Sequence, residues 1–129
     1  RHMLAPGRAN RGGTLVFVTS CSAEMVSTNR IEYCISKAGL SMAVAGFAAR
    51  LADQGISVFE IRPGIIRTDM TSAVTAKYDS VIAGGLVPAR RWGEGRDIAN
   101  AVRALARGDL GFATGSVLKL DGGLAISRL

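Results

Sequence analysis

Three short, β-rich apolar runs, each ending at a polar or glycine-bearing break, constrain this chain more than any other feature. Thr14-Leu15-Val16-Phe17-Val18-Thr19 stops at Ser20-Cys21-Ser22. Ile56-Ser57-Val58-Phe59-Glu60-Ile61 stops at Pro63-Gly64, and Gly115-Ser116-Val117-Leu118-Lys119-Leu120 stops at Asp121-Gly122-Gly123. The second run is largely apolar instead of alternating, which is the pattern of a strand covered on both faces. Helical stretches lie between the runs. Tyr33 to Asp53 reads as a helix closed by Gly55. Asp97 to Arg107 reads as a second, with Ile98, Val102 and Leu105 on one face, Asp97 as an early-helix acid and Gly108 at its end. Thr71 to Leu86 has weaker helical character and leaves through Gly84-Gly85. Strands alternating with helices demand crossover connections and hence parallel pairing. The expected fold is α/β, a doubly wound parallel sheet.

With 129 residues, of which 48% are hydrophobic, the chain can bury one core and hardly two. No internal repeat, low-complexity tract or long linker divides it. Met42 to Ala49 is the longest apolar block, well short of the ~18 residues of a spanning helix, so no membrane span is expected. The first residues carry arginines without an apolar signal core. Cys21 and Cys34 suit no metal spacing, so no metal is expected; a reduced pair in a cytoplasmic protein is, with a disulfide possible in principle. The single histidine, His2, is remote from both, which argues against a cysteine nucleophile. A formal charge of +6 raises nucleic acid as a partner, but the arginines are scattered, with small concentrations at Arg8/Arg11 and Arg90/Arg91, and aromatic residues for stacking are few. Nucleic-acid binding is not expected. The charge would draw anionic ligands or is an ordinary solvated surface.

Chemistry concentrates at Tyr33 and Lys37. Four residues apart on a helix they share a face. A free phenol titrates near ~10, too high for ready proton exchange at neutral pH. A neighbouring cation and a helix amino terminus both favour the phenolate. Ser20, at the carboxyl end of the first apolar run, supplies a hydroxyl to hold a carbonyl or alcohol oxygen beside that phenol. The three together read as a proton-handling site for carbonyl–alcohol chemistry; a Tyr-x-x-x-Lys spacing alone would fit a solvated surface pair.

The chain resembles the short-chain dehydrogenase/reductase family in several ordered segments. Val18-Thr19-Ser20-Cys21-Ser22 is similar to the family's serine segment, thirteen residues before the tyrosine, and Tyr33-Cys34-Ile35-Ser36-Lys37-Ala38 to its Tyr-x-x-Ser-Lys-Ala core. Arg62 to Met70, Arg91-Trp92-Gly93, Asp97-Ile98-Ala99, Thr114-Gly115 and Leu120-Asp121-Gly122-Gly123 continue the pattern, in the flavour of the 3-oxoacyl carrier protein reductases. The resemblance runs from about Gly13 onward. It implies an NAD(P)-dependent reductase with Ser20, Tyr33 and Lys37 as catalytic residues and NADP or NAD as cofactor, NADPH being favoured. Tyr33 and Lys37, Pro63-Gly64, the Ile66 backbone and the Thr68 hydroxyl would contact the nicotinamide end; a plain strand-ending turn at Pro63-Gly64 is the lesser alternative. Ser20, Tyr33 and Ser22 would face substrate, with Ser22 as readily a turn serine. Thr71 to Leu86 would be a lid. A 3-oxoacyl thioester is the implied substrate and an acyl carrier protein a possible partner. Gly95-Arg96 departs from the family's Pro-Glu and alters that turn, and Arg67 adds a cation beside Thr68.

The family's Gly-rich pyrophosphate turn, its Asn-Asn-Ala-Gly strand end and its helix asparagine have no match here; Gly93-Glu94-Gly95 is only superficially similar. Residues 1–129 therefore read as the carboxyl-terminal portion of a Rossmann-like domain, with Arg1 to Ala5 as the tail of a preceding helix and the first strand lacking a sheet neighbour. Such a fragment would be inactive alone, and its bare edge would cause association. The helix from Tyr33 to Asp53 carries Leu40, Val44, Phe47 and Leu51 on one face and small residues on the others. That pattern implies cover on both sides, by the sheet and, as the resemblance suggests, by a second copy in a dimer or tetramer. A non-catalytic interaction module acting through this helix is the alternative reading.

Overall fold

The computed structural model describes Met3 and residues 12–128. The expected helix tail at Arg1 to Ala5, Met3 apart, and the Arg8/Arg11 concentration lie outside these residues. The elements run β1 (Gly13–Val18), α1 (Ile31–Leu51), β2 (Ile56–Pro63), α2 (Thr75–Ala83), α3 (Gly95–Ala106) and β3 (Val117–Leu120). Short 3-10 turns at Cys21–Ala23, Ala52–Gln54, Asp69–Val74 and Gly111–Ala113 link them. The three strands form one parallel sheet in the order β1-β2-β3, with Val16 opposite Phe59 and Ile61 opposite Leu118.

Strand alternation decides what each face buries. On one side Ile56 and Val58 pack with Val44 and Ala48 of α1, with Leu15, Phe17 and Leu51 at the margin. On the other, Phe59 and Ile61 pack with Leu105 of α3, joined by Ile98, Val102, Leu118 and Leu120. Helices cover both faces, as the apolar pattern of β2 required. Val58, Phe59 and Ile61 are at most 1% exposed, and burying each side chain contributes roughly 1.5–3 kcal/mol before ordering costs. A third cluster, Ile82, Val87 and Trp92, seats α2 against the loop before α3; the Tyr78 ring meets Trp92 edge-on at 5.7 Å.

Several boundaries differ from the sequence expectation for local reasons. Helix α1 starts at Ile31 and tightens into a 3-10 turn after Leu51, so Gly55, at φ 69°, caps that turn and not the helix proper. The core-facing stripe of α1 contains Ala48, buried at 5%; Phe47 is half exposed and stacks on Phe17 at 5.9 Å. Strand β2 continues through Pro63, which pairs with Leu120, and the break falls at Gly64. Strand β3 begins only at Val117: Gly115, at φ 86°, is not extended, although the Gly115 amide and the Ser116 carbonyl still bond to Val58 and Glu60 of β2. Helix α3 starts at Gly95, with Glu94 and Asp97 forming a reciprocal capping box. Residues 71–74, expected as the start of a weak helical stretch, belong instead to the 3-10 segment Asp69–Val74 that leads into α2.

The composition of α1 bears on the expectation of no membrane span. No unbroken apolar run reaches the length of a span, but a window within Ile31–Gln54 has a mean hydropathy of 1.2, long and apolar enough to cross a membrane by composition, a test that a helix covering a sheet also passes. Ser36-Lys37, Ser41 and Arg50 interrupt the apolar residues of this helix, so no single run is long although the average stays high. Val44 and Ala48 pack this helix onto the sheet.

Candidate active site

The serine, tyrosine and lysine come from two adjoining elements at the carboxyl end of the sheet. The Thr19 amide donates to the Ile61 carbonyl at 2.9 Å, which carries the β1 ladder one residue past the strand. Ser20 follows, buried at 9%, and its Oγ accepts from the Ser22 amide at 3.1 Å, opening the 3-10 turn at Cys21–Ala23. That turn packs directly against α1. Ser22 is also buried, with its backbone engaged in the turn.

Tyr33 occupies the third position of α1 and is half-buried. Lys37 stands beside it, Nζ 5.4 Å from the ring centroid. The Arg30 guanidinium, at the position preceding the helix, lies 5.2 Å from the same centroid. The sequence reading found one cation; the fold supplies two. No ion pair among the described residues engages Lys37. The Cys34 thiol accepts from the Ser27 amide at 3.4 Å, tying the start of α1 to the loop before it. Both cysteines are free thiols. Burial pushes the Cys21 thiol up, against hydrogen bonds with Ser20 and Ser22, so this thiol is a poor nucleophile.

Across the sheet, Gly64 follows β2 with its amide bonded to the Leu120 carbonyl at 3.0 Å. A Cβ there would lie 2.7 Å from both Cα and Cβ of Asp121, so only glycine lets the two chain segments meet. Ile66 forms a parallel bridge with Gly93, and among the described residues its own amide has no backbone acceptor. Thr68 caps the 3-10 segment at Asp69–Val74: its amide donates to Thr71 Oγ1 at 2.9 Å, and its hydroxyl accepts from the Thr71 amide. The neighbouring Arg67 guanidinium packs 4.8 Å from the Trp92 ring centroid and reaches Glu94 at 3.4 Å.

A cleft of about 290 Å³ opens between Ile65, residues 91–93, Asp97 and residues 119–123. It does not include Ser20, Tyr33 or Lys37. Its charges are also committed. Arg91 forms a forked pair with Asp97 at 2.8 and 3.0 Å, Asp121 accepts from the Gly123 and Ala125 amides, and Lys119 pairs with Glu24. Hydrogen bonds from Arg91 and the Glu94 amide bring the Asp97 carboxyl down to about 2. At the start of α1, by contrast, the Tyr33 ring has the Arg30 and Lys37 cations beside it, and the turn opened by Ser20 packs against the same helix.

A family of proteins described as enoyl-(acyl carrier protein) reductase matches residues 1–125. The chain belongs to the short-chain dehydrogenase/reductase family. The 3-oxoacyl-[acyl-carrier-protein] reductase of Haemophilus influenzae is 37% identical over 125 residues, covering 97% of this chain and 51% of that protein. The crystal structure of a 3-oxoacyl-[acyl-carrier protein] reductase from Brucella melitensis in complex with NAD superposes with a TM-score of 0.94 at 54% identity, over 98% of this chain and 50% of that one. A gluconate 5-dehydrogenase from Burkholderia cenocepacia, in complex with NADP and tartrate, gives 0.87 at 27% identity, over 98% and 49%. This dehydrogenase/reductase chain spans about half the length of the curated relatives it matches.

Sequence reasoning missed the polar cluster beside this site. Glu60 and Arg62 lie two residues apart on β2, within a largely apolar strand. Charges at alternate positions of a strand covered on both faces were a signal that they share a partner.

Proposed function

We propose that this chain is the carboxyl-terminal half of an NAD(P)-dependent reductase that interconverts a carbonyl and a secondary alcohol, with a 3-oxoacyl thioester as the first substrate to test. One observation carries the reading: Tyr33 and Lys37 stand side by side in the first turns of a helix that packs on the turn opened by Ser20.

The cofactor's nicotinamide end suits the residues present. Lys37 has no acid partner among the described residues, the Ile66 amide is uncommitted, and the Thr68 hydroxyl keeps its own proton to donate. These groups, with Tyr33 and the Pro63-Gly64 backbone, would hold NADP or NAD. When bound, the nicotinamide supplies hydride to the carbonyl carbon or takes it back. Ser20 donates a hydrogen bond to the substrate oxygen and stabilises the charge developing on it. Tyr33 gives its phenolic proton to that oxygen during reduction and accepts it during oxidation. Lys37 and Arg30 keep positive charge beside the phenol as its proton leaves. Ser22, two residues beyond Ser20 in the same turn, would also face substrate, and the segment from Thr71 to Leu86 would close over it.

Tyr33→Phe in the complete enzyme tests this. Steady-state reduction of a 3-oxoacyl thioester, followed by NADPH or NADH absorbance, should lose about 10²–10⁴-fold in kcat. Cofactor affinity by fluorescence titration should stay within a few-fold. Undiminished turnover removes Tyr33 from the mechanism and this function with it.

A second reading rests on the outer side of α1, where Ile35 and Met42 are 67% and 73% exposed. This side would pair with a second copy of the chain in a homo-oligomer. An acyl carrier protein, drawn by the +6 charge, is the further partner proposed.

A further inference from the structure

The carboxyl end of the sheet buries a charge cluster that proton transfer itself leaves unused. On the α1 side the sheet turns from apolar to polar: Ile56 and Val58 give way to Glu60 and Arg62. Glu60 is 1% exposed. Its Oε1 accepts from the Thr19 hydroxyl at 2.6 Å and Arg62 Nε at 2.7 Å; its Oε2 accepts from the Ser41 hydroxyl at 2.8 Å and Arg62 Nη2 at 3.3 Å. Arg62 Nη2 also donates to Ser41 Oγ at 2.7 Å, and Nη1 pairs with Glu24, which in turn holds Lys119 of β3. Burial works to raise the Glu60 carboxyl, but hydrogen bonds from Arg62, Thr19 and Ser41 outweigh it, and the group stays ionised below its ordinary range.

Stability is a weak reason to keep such a cluster, because apolar residues of similar volume usually replace a buried ion pair without loss. Its connections offer a better one. Thr19 immediately precedes Ser20. Ser41 lies one helical step of four residues beyond Lys37. Arg62 leads into Pro63-Gly64, and Glu24 follows the turn that holds Ser22. A single carboxylate thus joins the strand end, the helix and the β2 exit that carry every residue assigned to the site. We propose that Glu60 and Arg62 are positioning residues, which fix Ser20 and the Tyr33–Lys37 helix in the mutual register that proton transfer requires. This rests on the reductase reading above.

The test is the paired variant Glu60→Leu/Arg62→Met in the complete enzyme, with Ser41→Ala beside it. If the cluster positions the site, the pair variant melts at or above the parental Tm and keeps its cofactor Kd within about threefold, yet loses about 10–100-fold in kcat. Ser41→Ala should lower kcat about threefold at an unchanged Tm, since it frees only the helix from the carboxylate. Parental kcat in a folded pair variant overturns the proposal. Should the pair variant fail to fold, Ser41→Ala decides alone: a kcat loss at parental Tm supports positioning, and no loss overturns it. Tyr33→Phe is run in parallel; if that variant turns over normally the site reading fails, whereas a dead Tyr33→Phe with a fully active pair variant defeats the positioning role only.

Discussion

The two helices that sandwich the sheet solve the same packing problem in opposite ways. Helix α3 is one-sided. It buries Leu105, with Ile98 and Val102 beside it, against Phe59 and Ile61, turns charge to solvent, and closes its amino end with a complete capping box. Helix α1 is nearly twice as long, fully buries only Val44 and Ala48, and begins at Arg30 with no side-chain cap. Its outer side stays apolar, and polar groups intrude where it crosses the strand ends. A helix that merely covers a sheet is amphipathic and capped, as α3 is. Helix α1 gives up both features, and the places where it does so are its site-bearing start and its outer side.

The contrast is tested hardest in the core beneath α3. Phe59 is 1% exposed and has no polar neighbour in its cluster. Phe59→Ala should therefore cost about 3–5 kcal/mol, the full range for an aromatic truncation that leaves a cavity. Equilibrium urea denaturation measures it. A loss below about 1 kcal/mol would mean that the α3 face relaxes freely and is not the rigid side of the molecule.

The outer side of α1 should respond the opposite way. Met42→Glu, at a position 73% exposed, removes apolar surface and adds charge without touching the sheet. Its expected effect on unfolding free energy is within about 0.5 kcal/mol, while sedimentation velocity should show the complete enzyme shifting to a smaller assembly. An unchanged assembly state at every concentration would leave α1 without a second copy as its cover.

How far the sequence could be read follows the same division. The three strands, the α3 face of Ile98, Val102 and Leu105, and the Tyr33–Lys37 adjacency were legible because each depends on local periodicity or on a fixed helical offset. The family, too, was legible, from ordered segments that the comparisons bear out. The Glu60 cluster was not. Its six members span Thr19 to Lys119, and only the parallel register, which sets Phe17 opposite Glu60 and Arg62 opposite Lys119, brings them to one end of the sheet. Arg30 escaped for a smaller reason: where α1 begins decides whether that guanidinium faces the Tyr33 ring, and the start was expected two residues later.

The smallest expected effect lies at the capped end of α3. The Asp97 carboxylate accepts from the Glu94 amide at 2.8 Å and from both ends of the Arg91 guanidinium fork, and these bonds bring it from an ordinary 3.8 to about 2. A depressed folded-state value means that the unfolded chain takes up the proton first, so the contribution is fully present above 3.8 and is lost as pH falls toward about 2. The Tm gap between the parent and Asp97→Asn should thus be constant at neutral pH and close across that acid window. Added salt should narrow it, because the Arg91 pair is solvent-exposed and screened, whereas the amide bond at the cap keeps part of it. A gap indifferent to acid would mean that the Asp97 charge does nothing for the cap. Helix α3 would then owe its order to the Phe59–Ile61 face alone, and the uncapped start of α1 would no longer be a sacrifice specific to the site.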